Sequence, residues 1–412
     1  MTHTLSLTLL AAAIAGVVAL AVQLSCVLIY RWKRSREQAP ASRSGEPKGI
    51  SILKPLCGVD DDLEANLACF ATLTYPVYEV VLGVKDKKDP AYAVARAAVK
   101  RWPKVMRLEL QHGEPGLNPK VNQLITLAEV ARHDLLVISD SNTRVGANYL
   151  EEISRTFEDP SVGCVSNPIS GVGEQTLGSL MDNLYQSTTA GAGQIAAKQA
   201  ANQDIVVGKS MALRREDVES LGGFYSVRNV LAEDFVIGRW MSRRLGKRAV
   251  VARAPVYNVS TKKSVMAFFK RYVRWSIIHH TCIPTPVYLA QALLNPLPLA
   301  LLGALVSPSM KAFGVVGAVA LAKQVHDVTV FHLSRPGERT PWIVVPAVLL
   351  KDLLLFVAWT NGLFARSVDW RGTKLRVQPG SRLVPPTPAQ PEPLPVPLEQ
   401  SESERTEELL AG

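Results

Sequence analysis

The stretch Leu135-Leu136-Val137-Ile138-Ser139-Asp140-Ser141-Asn142 carries the clearest structural signal in the sequence. Its first four residues are all apolar, which is typical of a short strand buried on both faces of a parallel sheet. Polar residues with oxygen-bearing side chains follow immediately. Because open α/β sheets bind ligands at the carboxyl ends of their strands, this stretch predicts both an α/β domain and the edge at which its site lies.

The segments before this stretch repeat the same alternation. Short strands are predicted at residues 50–53, 78–84 and 105–110, and helices at residues 63–74, 91–102 and 120–132. Strands that alternate with helices indicate an α/β domain with a mostly parallel sheet. We assign residues 50–282 to this domain.

Carboxylates follow two of these strands. Asp86 and Asp89 lie on the turn after residues 78–84, and Asp140 with Asn142 follows residues 135–138. Two oxygen ligands in a tight turn suit a hard divalent cation that also binds phosphate oxygens. The same spacing describes an Asx turn that ends a strand, so the pattern alone leaves both interpretations open.

A third acidic site is Glu233-Asp234, at the start of a helix predicted to run on through Trp240. One of these carboxylates could act as a general base that takes a proton from an acceptor hydroxyl. Either could equally be an N-terminal charge that the helix dipole stabilises. Spacing alone does not choose between them.

The segment Arg271-Tyr272-Val273-Arg274-Trp275 places two guanidinium groups on one side of a helix, with an indole beside the second. Such a pair could bind a diphosphate while the ring covers a sugar or a lipid. The alternative is an arginine pair at the membrane surface with an interfacial tryptophan.

Composition favours a membrane protein with a catalytic domain. The chain has 412 residues, is 47% hydrophobic and has a mean hydropathy of +0.10. Residues 5–30 carry no charge and basic residues follow from Arg31, so residues 1–35 are predicted to be a transmembrane anchor that ends in the cytosol. Residues 36–49 are interpreted as a linker.

The C-terminal part is predicted to contain transmembrane or interfacial helices at residues 283–378, followed by a disordered Pro/Glu-rich tail at 379–412. Residues 284–310 contain five prolines and could form a kinked or re-entrant span. Three crossings here would place Arg366 and Lys374 on the side opposite the catalytic domain, against the positive-inside rule. We therefore expect one of these segments to be interfacial, unless the rule fails here.

The net charge of +10 could indicate nucleic acid, anionic lipid or an anionic substrate. The sequence contains no helix-turn-helix pattern and no basic patch interleaved with aromatic residues, so we expect no nucleic acid partner. Many basic residues flank apolar segments, which favours lipid headgroups and a phosphorylated substrate. The five cysteines show no C-x-x-C spacing and are interpreted as reduced.

Several of these motifs together resemble those of ceramide glucosyltransferases, in glycosyltransferase family 21, which is related to membrane-bound family 2 enzymes and to hopanoid-associated glycosyltransferases. Asp89, Asp140, Asp234 and the Arg271-x-x-Arg274-Trp275 run match the D, D, D and (Q/R)xxRW signature. The motifs Leu53-Lys54-Pro55-Leu56-Cys57-Gly58-Val59-Asp60 and Gly116-Leu117-Asn118-Pro119-Lys120-Val121-Asn122 add to the similarity. Their order along the chain makes the signal specific.

This resemblance implies a GT-A type fold, a UDP-sugar donor, a divalent cation (Mn²⁺ or Mg²⁺) and inversion at the anomeric carbon. It further implies roles for individual residues. Asp234 is the expected base, Asp140 and Asn142 the metal ligands, and the donor-binding set is Asp86, Asp89, Lys120, Arg271, Arg274 and Trp275. Asn142 departs from the pattern, since many relatives carry an acid there.

The resulting expectation is an integral, multi-pass membrane glycosyltransferase with a cytosolic catalytic domain, in a bacterial plasma membrane. It would transfer glucose from UDP-glucose to ceramide. Alternatives are transfer of N-acetylglucosamine to a hopanoid polyol and a non-catalytic nucleotide-sugar-binding membrane protein. A processive polysaccharide synthase is disfavoured because the apolar segments are few.

Overall fold

The computed structural model of the chain describes residues 1–36, 46–203, 205–370 and 373–385. Most of the predicted linker and most of the predicted tail lie outside these residues.

The described residues form an α/β domain between apolar helices. Its strands are, in chain order, β1 (Ile50–Pro55), β2 (Tyr78–Val84), β3 (Met106–Leu110), β4 (Leu135–Ser139), β5 (Thr143–Arg144), β6 (Val162–Ser166), β7 (Ile169–Val172), β8 (Ser210–Arg214), β9 (Arg248–Val251), β10 (Val256–Val259), β11 (Ser367–Trp370), β12 (Thr373–Gln378) and β13 (Arg382–Val384).

The helices are named in the same way. They are α1 (Thr2–Arg36), α2 (Leu63–Ala71), α3 (Ala91–Arg101), α4 (Pro119–Val130), α5 (Tyr149–Thr156), α6 (Leu177–Tyr185), α7 (Ala192–Ala201), α8 (Arg215–Ser220), α9 (Glu233–Arg243), α10 (Val265–Cys282), α11 (Thr285–Ala290), α12 (Pro296–Val306), α13 (Met310–Ser334) and α14 (Val344–Phe364).

The main sheet has the strand order β3-β2-β1-β4-β8-β6-β9. Strand β8 is antiparallel to both of its neighbours, and the remaining pairs are parallel. The predicted strands and helices between residues 50 and 139 are all present, within a few residues of their expected ends. The prediction of a mostly parallel α/β sheet is therefore confirmed.

Both faces of this sheet are covered by helices, as the uninterrupted apolar run of β4 predicts. Leu135 and Val137 pack with the residues of α2, α3 and α5 on one face. Leu136 and Ile138 pack with α4, α8 and α9 on the other face. Alternate residues of one strand thus enter two separate cores, and the strand ends are left as the polar edge.

Apolar helices flank the domain at both ends, as predicted. In the described residues, three helices are long and apolar enough to span a membrane: α1, α13 and α14. The pair α11–α12 forms a further candidate, bent by 86°. The bend lies in the proline-rich stretch, where a kinked or re-entrant span was expected. Helix α12 packs against α1, and the Ser6 hydroxyl donates a 2.7 Å hydrogen bond to the Gly303 carbonyl oxygen.

Charged residues within α13 and α14 are sheltered from the apolar surroundings by pairing with one another. The Lys323 Nζ lies 2.7 Å from Asp327 Oδ1, and the Lys351 Nζ lies 3.0 Å from Asp327 Oδ2 and 2.7 Å from Asp352 Oδ1. All four side chains are buried. Opposite charges in contact reduce the cost of placing them in an apolar layer.

The chain beyond α14 differs from expectation. Residues 367–370 and 373–384, which the sequence analysis places among the C-terminal helices and the start of the tail, contain the strands β11, β12 and β13 of an antiparallel sheet. Val368, Leu375, Val377 and Leu383 are buried there with Leu231 and Ile277. The apolar residues alternate over only a few positions, and several charged residues lie between them. The sequence pattern therefore does not clearly predict strands here.

This C-terminal sheet is hydrogen-bonded to the loop that precedes α9. The Leu231 N–H donates to the Ser381 carbonyl oxygen at 2.8 Å, and the Leu383 N–H donates to the Asn229 carbonyl oxygen at 2.7 Å. The Ser381 hydroxyl oxygen accepts from the Ala232 N–H at 3.0 Å. The end of the described chain therefore lies against the loop of the α/β domain that leads to Glu233 and Asp234.

Candidate active site

A cleft of about 510 Å³ opens at the carboxyl ends of β1 and β4. It brings together most of the residues selected from the sequence, although they come from distant parts of the chain. Those that line it are Lys120, Asp140, Asn142, Asp234, Arg271, Arg274 and Trp275. The site therefore lies at the sheet edge that the β4 stretch predicted.

Lys120 enters the cleft from the first turn of α4. The preceding Asn118 caps this helix, and its side-chain oxygen accepts hydrogen bonds from the N–H groups of Lys120 and Val121 at 3.0 and 3.1 Å. Pro119 occupies the first turn, where its missing N–H costs nothing. The Asn-Pro pair thus fixes where the helix begins, and with it the direction of the Lys120 side chain.

Asp140 lies between two lysines. Its Oδ1 is 3.0 Å from the Lys120 Nζ, and its Oδ2 is 2.9 Å from the Lys209 Nζ. Burial opposes ionisation of Asp140, but the two ammonium groups outweigh it and hold the pKa of this carboxyl well below its usual value. Asp140 is therefore a carboxylate at neutral pH.

A third lysine supports the backbone at the same strand end. Lys54 on β1 is buried, and its Nζ donates to the Asp140 carbonyl oxygen at 2.7 Å and contacts the Ser139 Oγ at 3.2 Å. Burial lowers the pKa of Lys54 to about 7, although nearby acidic groups oppose this. Lys54 fixes the turn that presents Asp140.

Glu233 and Asp234 have different surroundings at the start of α9. Glu233 is buried, and its Oε1 lies 2.9 Å from the Lys120 Nζ. Asp234 is half-buried on the wall of the cleft. Burial, together with the neighbouring Glu233 carboxylate, raises the pKa of Asp234 to about 6. A carboxyl group with a pKa raised in this way can accept a proton near neutral pH.

Asp234 is held in place by backbone N–H groups. Its Oδ2 accepts from the Gly208 N–H at 2.5 Å, and its Oδ1 accepts from the Phe235 N–H at 2.7 Å. A Cβ atom at residue 208 would lie 2.8 Å from Asp234 Oδ2 and 3.0 Å from the Lys120 Nζ. Only glycine therefore lets this loop approach Asp234 without displacing it.

Helix α10 forms the opposite wall. Arg271, Arg274 and Trp275 share the face that lines the cleft, as their spacing predicts. Arg271 is oriented from behind by Asp182, whose Oδ1 lies 3.7 Å from the Arg271 Nε and accepts a 2.8 Å hydrogen bond from the Tyr272 hydroxyl. Asp182 is fully buried and also pairs with the Lys263 Nζ at 2.5 Å.

Asp86 and Asp89 do not line the cleft. The Asp86 Oδ1 accepts from the Lys88 N–H at 2.7 Å within its own turn. The Asp89 Oδ1 accepts from the Gly58 and Ala91 N–H groups, both at 2.8 Å. Asp89 thus ties the start of α3 to the loop after β1, which does line the cleft at Cys57.

Residues 8–383 match the sequence model of Glycosyl transferase family 21. The chain belongs to this family. It is 23% identical over 395 residues to ceramide glucosyltransferase 3 of Caenorhabditis elegans, covering 94% of this chain and 85% of the relative. It is 26% identical over 250 residues to the ceramide glucosyltransferase of Komagataella phaffii, covering 55% and 47%.

Among solved structures, the family 21 chain is similar to a mannosyltransferase from Pyrobaculum calidifontis in complex with GDP-Man and Mn²⁺. That similarity has a TM-score of 0.48 and 21% identity, over 84% of this chain and 99% of that chain. The family match and the α/β sheet between apolar helices confirm the predicted GT-A type fold class, and the family match confirms a glycosyltransferase.

The family implies a divalent cation, and the cleft offers it a limited donor set. Both Asp140 oxygens face ammonium groups, and the Asn142 Oδ1 accepts a 2.6 Å hydrogen bond from the Lys209 Nζ. The described residues contain no cluster of three or more His, Cys, Asp or Glu side chains arranged to hold a metal. A cation bound largely by substrate phosphates needs only one or two protein carboxylates. The residues therefore fit a cation that arrives with a diphosphate.

Two residues of the family 21 site were missed by reasoning from the sequence alone. Lys209 belongs to none of the motifs that the sequence analysis selected, yet it pairs with Asp140. Asp182 carries no motif, and only the packing of α6 against α10 brings it to Arg271. The signal available in the sequence was that Asp182 is the only charged residue of α6.

Proposed function

We propose that this family 21 glycosyltransferase transfers a sugar from a UDP-sugar to the hydroxyl of a membrane lipid, with glucose and ceramide as the preferred pair. The observation that carries the proposal is the extent of the cleft. Its polar end contains Lys120, Asp140 and Lys209, and its other end reaches Ile283 and Gln291 beside the bent apolar pair α11–α12. One cleft thus offers a basic site for an anionic sugar donor and an apolar approach for a lipid acceptor.

The polar end suits a diphosphate. Two lysines and two arginines line the cleft: Lys120, Lys209, Arg271 and Arg274. Arginines bind phosphate oxygens bidentately, and ammonium groups add compact positive charge. A divalent cation held at Asp140, when bound, would neutralise further charge on the leaving diphosphate. Asp86 and Asp89 remain candidates for contacts to the nucleotide through the Cys57 loop.

The reaction proposed is a single displacement. The acceptor oxygen attacks the anomeric carbon, its proton passes to an Asp234 oxygen, and the bond from the anomeric carbon to the UDP oxygen breaks. UDP leaves with the bonding electron pair, and the cations around the diphosphate stabilise the charge that develops. No covalent enzyme intermediate is needed, so the anomeric configuration inverts.

We further propose that α1 and α13 cross the bilayer, that the bent pair α11–α12 makes one further crossing, and that α14 lies at the bilayer surface beside α10. Several contacts support this arrangement. The Tyr30 hydroxyl donates to the Ala252 carbonyl oxygen at 2.7 Å, and the Ser170 hydroxyl donates to the Ser334 carbonyl oxygen at 3.0 Å, so α1 and α13 both end at the catalytic domain. The contact of Ser6 with Gly303 joins the opposite end of α1 to α12.

Helix α14 runs beside α10 along its length. Its first residue, Val344, belongs to the same buried cluster as Phe268 and Tyr272. Near its end, the Gly362 carbonyl oxygen lies 2.9 Å from the His280 Nδ1. Two crossings, the bent pair α11–α12 and helix α13, then lie between the catalytic domain and the C-terminal sheet. This keeps Arg366 and Lys374 on the catalytic side, in agreement with the positive-inside rule and a cytosolic domain in a bacterial plasma membrane.

The function is tested with purified full-length protein in lipid vesicles. UDP-glucose, UDP-galactose and UDP-N-acetylglucosamine are each paired with ceramide or a hopanoid polyol, with Mn²⁺ or Mg²⁺, and the lipid fraction is analysed by mass spectrometry. We expect a hexosylceramide with UDP-glucose and no glycolipid from the Asp234→Asn variant. UDP binding without glycolipid from any pairing would contradict the transferase, and product on the hopanoid alone would contradict ceramide as acceptor.

A further inference from the structure

A second cavity, of about 570 Å³, lies behind the active-site cleft. It is formed by the 3₁₀ turn Phe224–Val227 and the residues that follow it, by α9, by the end of α10 and by the β12–β13 turn. Five arginines line it, and its lining contains no Asp or Glu: Arg228, Arg239, Arg243, Arg244 and Arg382. We call the cavity lined by these five residues the arginine cavity.

These guanidinium groups have no carboxylate partner in the part of the chain that the structure describes. Arg244 lies over the Trp240 ring at 3.9 Å, and Arg228 lies over the Tyr225 ring at 3.9 Å while its Nη1 donates to the Tyr225 carbonyl oxygen at 3.0 Å. Elsewhere on the same domain, arginines pair with acids, as Arg144 does with Asp62 at 2.9 Å. The arginine cavity is therefore an unneutralised concentration of positive charge.

Like charges gathered in a concave site repel one another and attract an anion. Arg228 and Arg239 are half-buried, so their charge is less screened by water than that of an exposed side chain. Planar guanidinium groups from three separate elements can surround a phosphate and bind its oxygens in pairs. The absence of any acid among the lining residues argues against a cationic or neutral ligand.

The position of the cavity points to the bilayer surface. Cys282 and Phe235 line both this cavity and the active-site cleft. Cys282 is the last residue of α10, and α11 begins three residues later with Val287 and Leu289 exposed by 52% and 45%. Exposed apolar residues next to a basic cavity are the arrangement expected where a helix lies in the headgroup layer.

We propose that the arginine cavity binds a phosphate-bearing anion at a site separate from the donor site. The same chemistry could come from the headgroup of an anionic phospholipid or from a soluble phosphate compound such as a nucleotide. The proposal goes beyond the transferase reaction, since it requires neither a sugar donor nor an acceptor.

The test uses the full-length protein in neutral detergent. Binding of a fluorescent short-chain phosphatidylglycerol is measured by anisotropy and compared with that of the matching phosphatidylcholine. We expect the anionic lipid to bind at least about tenfold more tightly, and the Arg239→Gln/Arg243→Gln variant to lose at least about tenfold of that affinity. Arg382→Gln, on a different element, should weaken binding in the same direction even if the double variant folds poorly.

Arg96→Gln is the matched control, because Arg96 is exposed on α3 on another side of the domain. It should leave binding unchanged. A further outcome is that inorganic phosphate or UDP displaces the fluorescent lipid, and does so only when the same arginines are present. That result would identify a soluble compound as the ligand and would support the site. Equal binding of the two lipids, or unchanged anionic-lipid binding in both the double variant and Arg382→Gln, would overturn the proposal.

Discussion

The Lys120 Nζ lies 3.0 Å from the Asp140 Oδ1, and this contact joins the first turn of α4 to the end of β4. The same ammonium lies 2.9 Å from the Glu233 Oε1 on α9. Burial alone would lower the pKa of Lys120, but the surrounding carboxylates outweigh it and raise that pKa above its ordinary value. One cation thus holds three elements of the cleft together and stays charged when the donor binds.

Replacing Lys120 by Met should remove this link. Asp140 and Glu233 would lose a shared partner, and a donor diphosphate would lose a cation. We expect kcat/KM for the UDP-sugar to fall by about tenfold to hundredfold, which corresponds to roughly 1.5–3 kcal/mol for one charged hydrogen bond. Steady-state kinetics provides the measurement, with Lys100→Met on the exposed face of α3 as control. Equal losses in both variants would argue against a specific role.

The pH dependence of activity should report Asp234. A base must be deprotonated, and the pKa of Asp234 is raised to about 6. Activity is therefore expected to be full above this pH and to fall about tenfold per pH unit below it. The profile of kcat/KM between pH 4.5 and 8 checks this. Asp234→Asn should abolish turnover while retaining UDP binding. If the residual activity of this variant still falls at acidic pH, a group other than Asp234 causes the pH dependence.

Asp182 is expected to act as a positioning residue for Arg271. Burial opposes ionisation of Asp182, but Arg271 and Lys263 outweigh it and lower its pKa to about 2. Asp182→Asn removes the negative charge that orients the guanidinium, so KM for the UDP-sugar should rise by about tenfold with a smaller change in kcat. Asp159→Asn, at an exposed ion pair with Arg248, is the control. A loss confined to thermal stability would indicate a purely structural role.

The buried charges of α13 and α14 should be interdependent. Lys351→Met leaves Asp352 and Asp327 with too little positive charge, and breaking a buried pair of this kind costs about 3–5 kcal/mol. A lower Tm in detergent is the expected result. The charge-balanced variant Lys351→Met/Asp352→Asn should recover part of that loss, since Lys323 still pairs with Asp327 at 2.7 Å. Lys311→Met, at an exposed residue of α13, should leave Tm unchanged.

The proposed topology predicts which loops share a side of the membrane. Single cysteines at residues 3, 311, 338 and 366, in a background without the native cysteines, are treated with an impermeant maleimide in intact cells. Residues 3 and 311 should react, and residues 338 and 366 should react only after permeabilisation. If only one of residues 338 and 366 reacts in intact cells, α14 crosses the bilayer.

Much of this architecture follows from local sequence. The apolar run before Asp140, the Asn118-Pro119 cap and the three-residue spacing of Arg271 and Arg274 each act within one element. Periodicity is a property of neighbouring residues, so it predicted the strands, the helices and the face of α10 that lines the cleft. Lys351 and Asp352 lie within an apolar run of the sequence, and because isolated charges are costly in an apolar layer, the sequence requires partners for them.

Only the tertiary structure decided which of these elements meet. Lys209 reaches Asp140 because antiparallel β8 lies beside β4, and Asp182 reaches Arg271 because α6 packs on α10. The orientation of α14 and the return of residues 367–384 to the loop before α9 depend on long-range packing in the same way. Burial of apolar surface is non-directional, so a sequence pattern states that a face must be covered without stating what covers it.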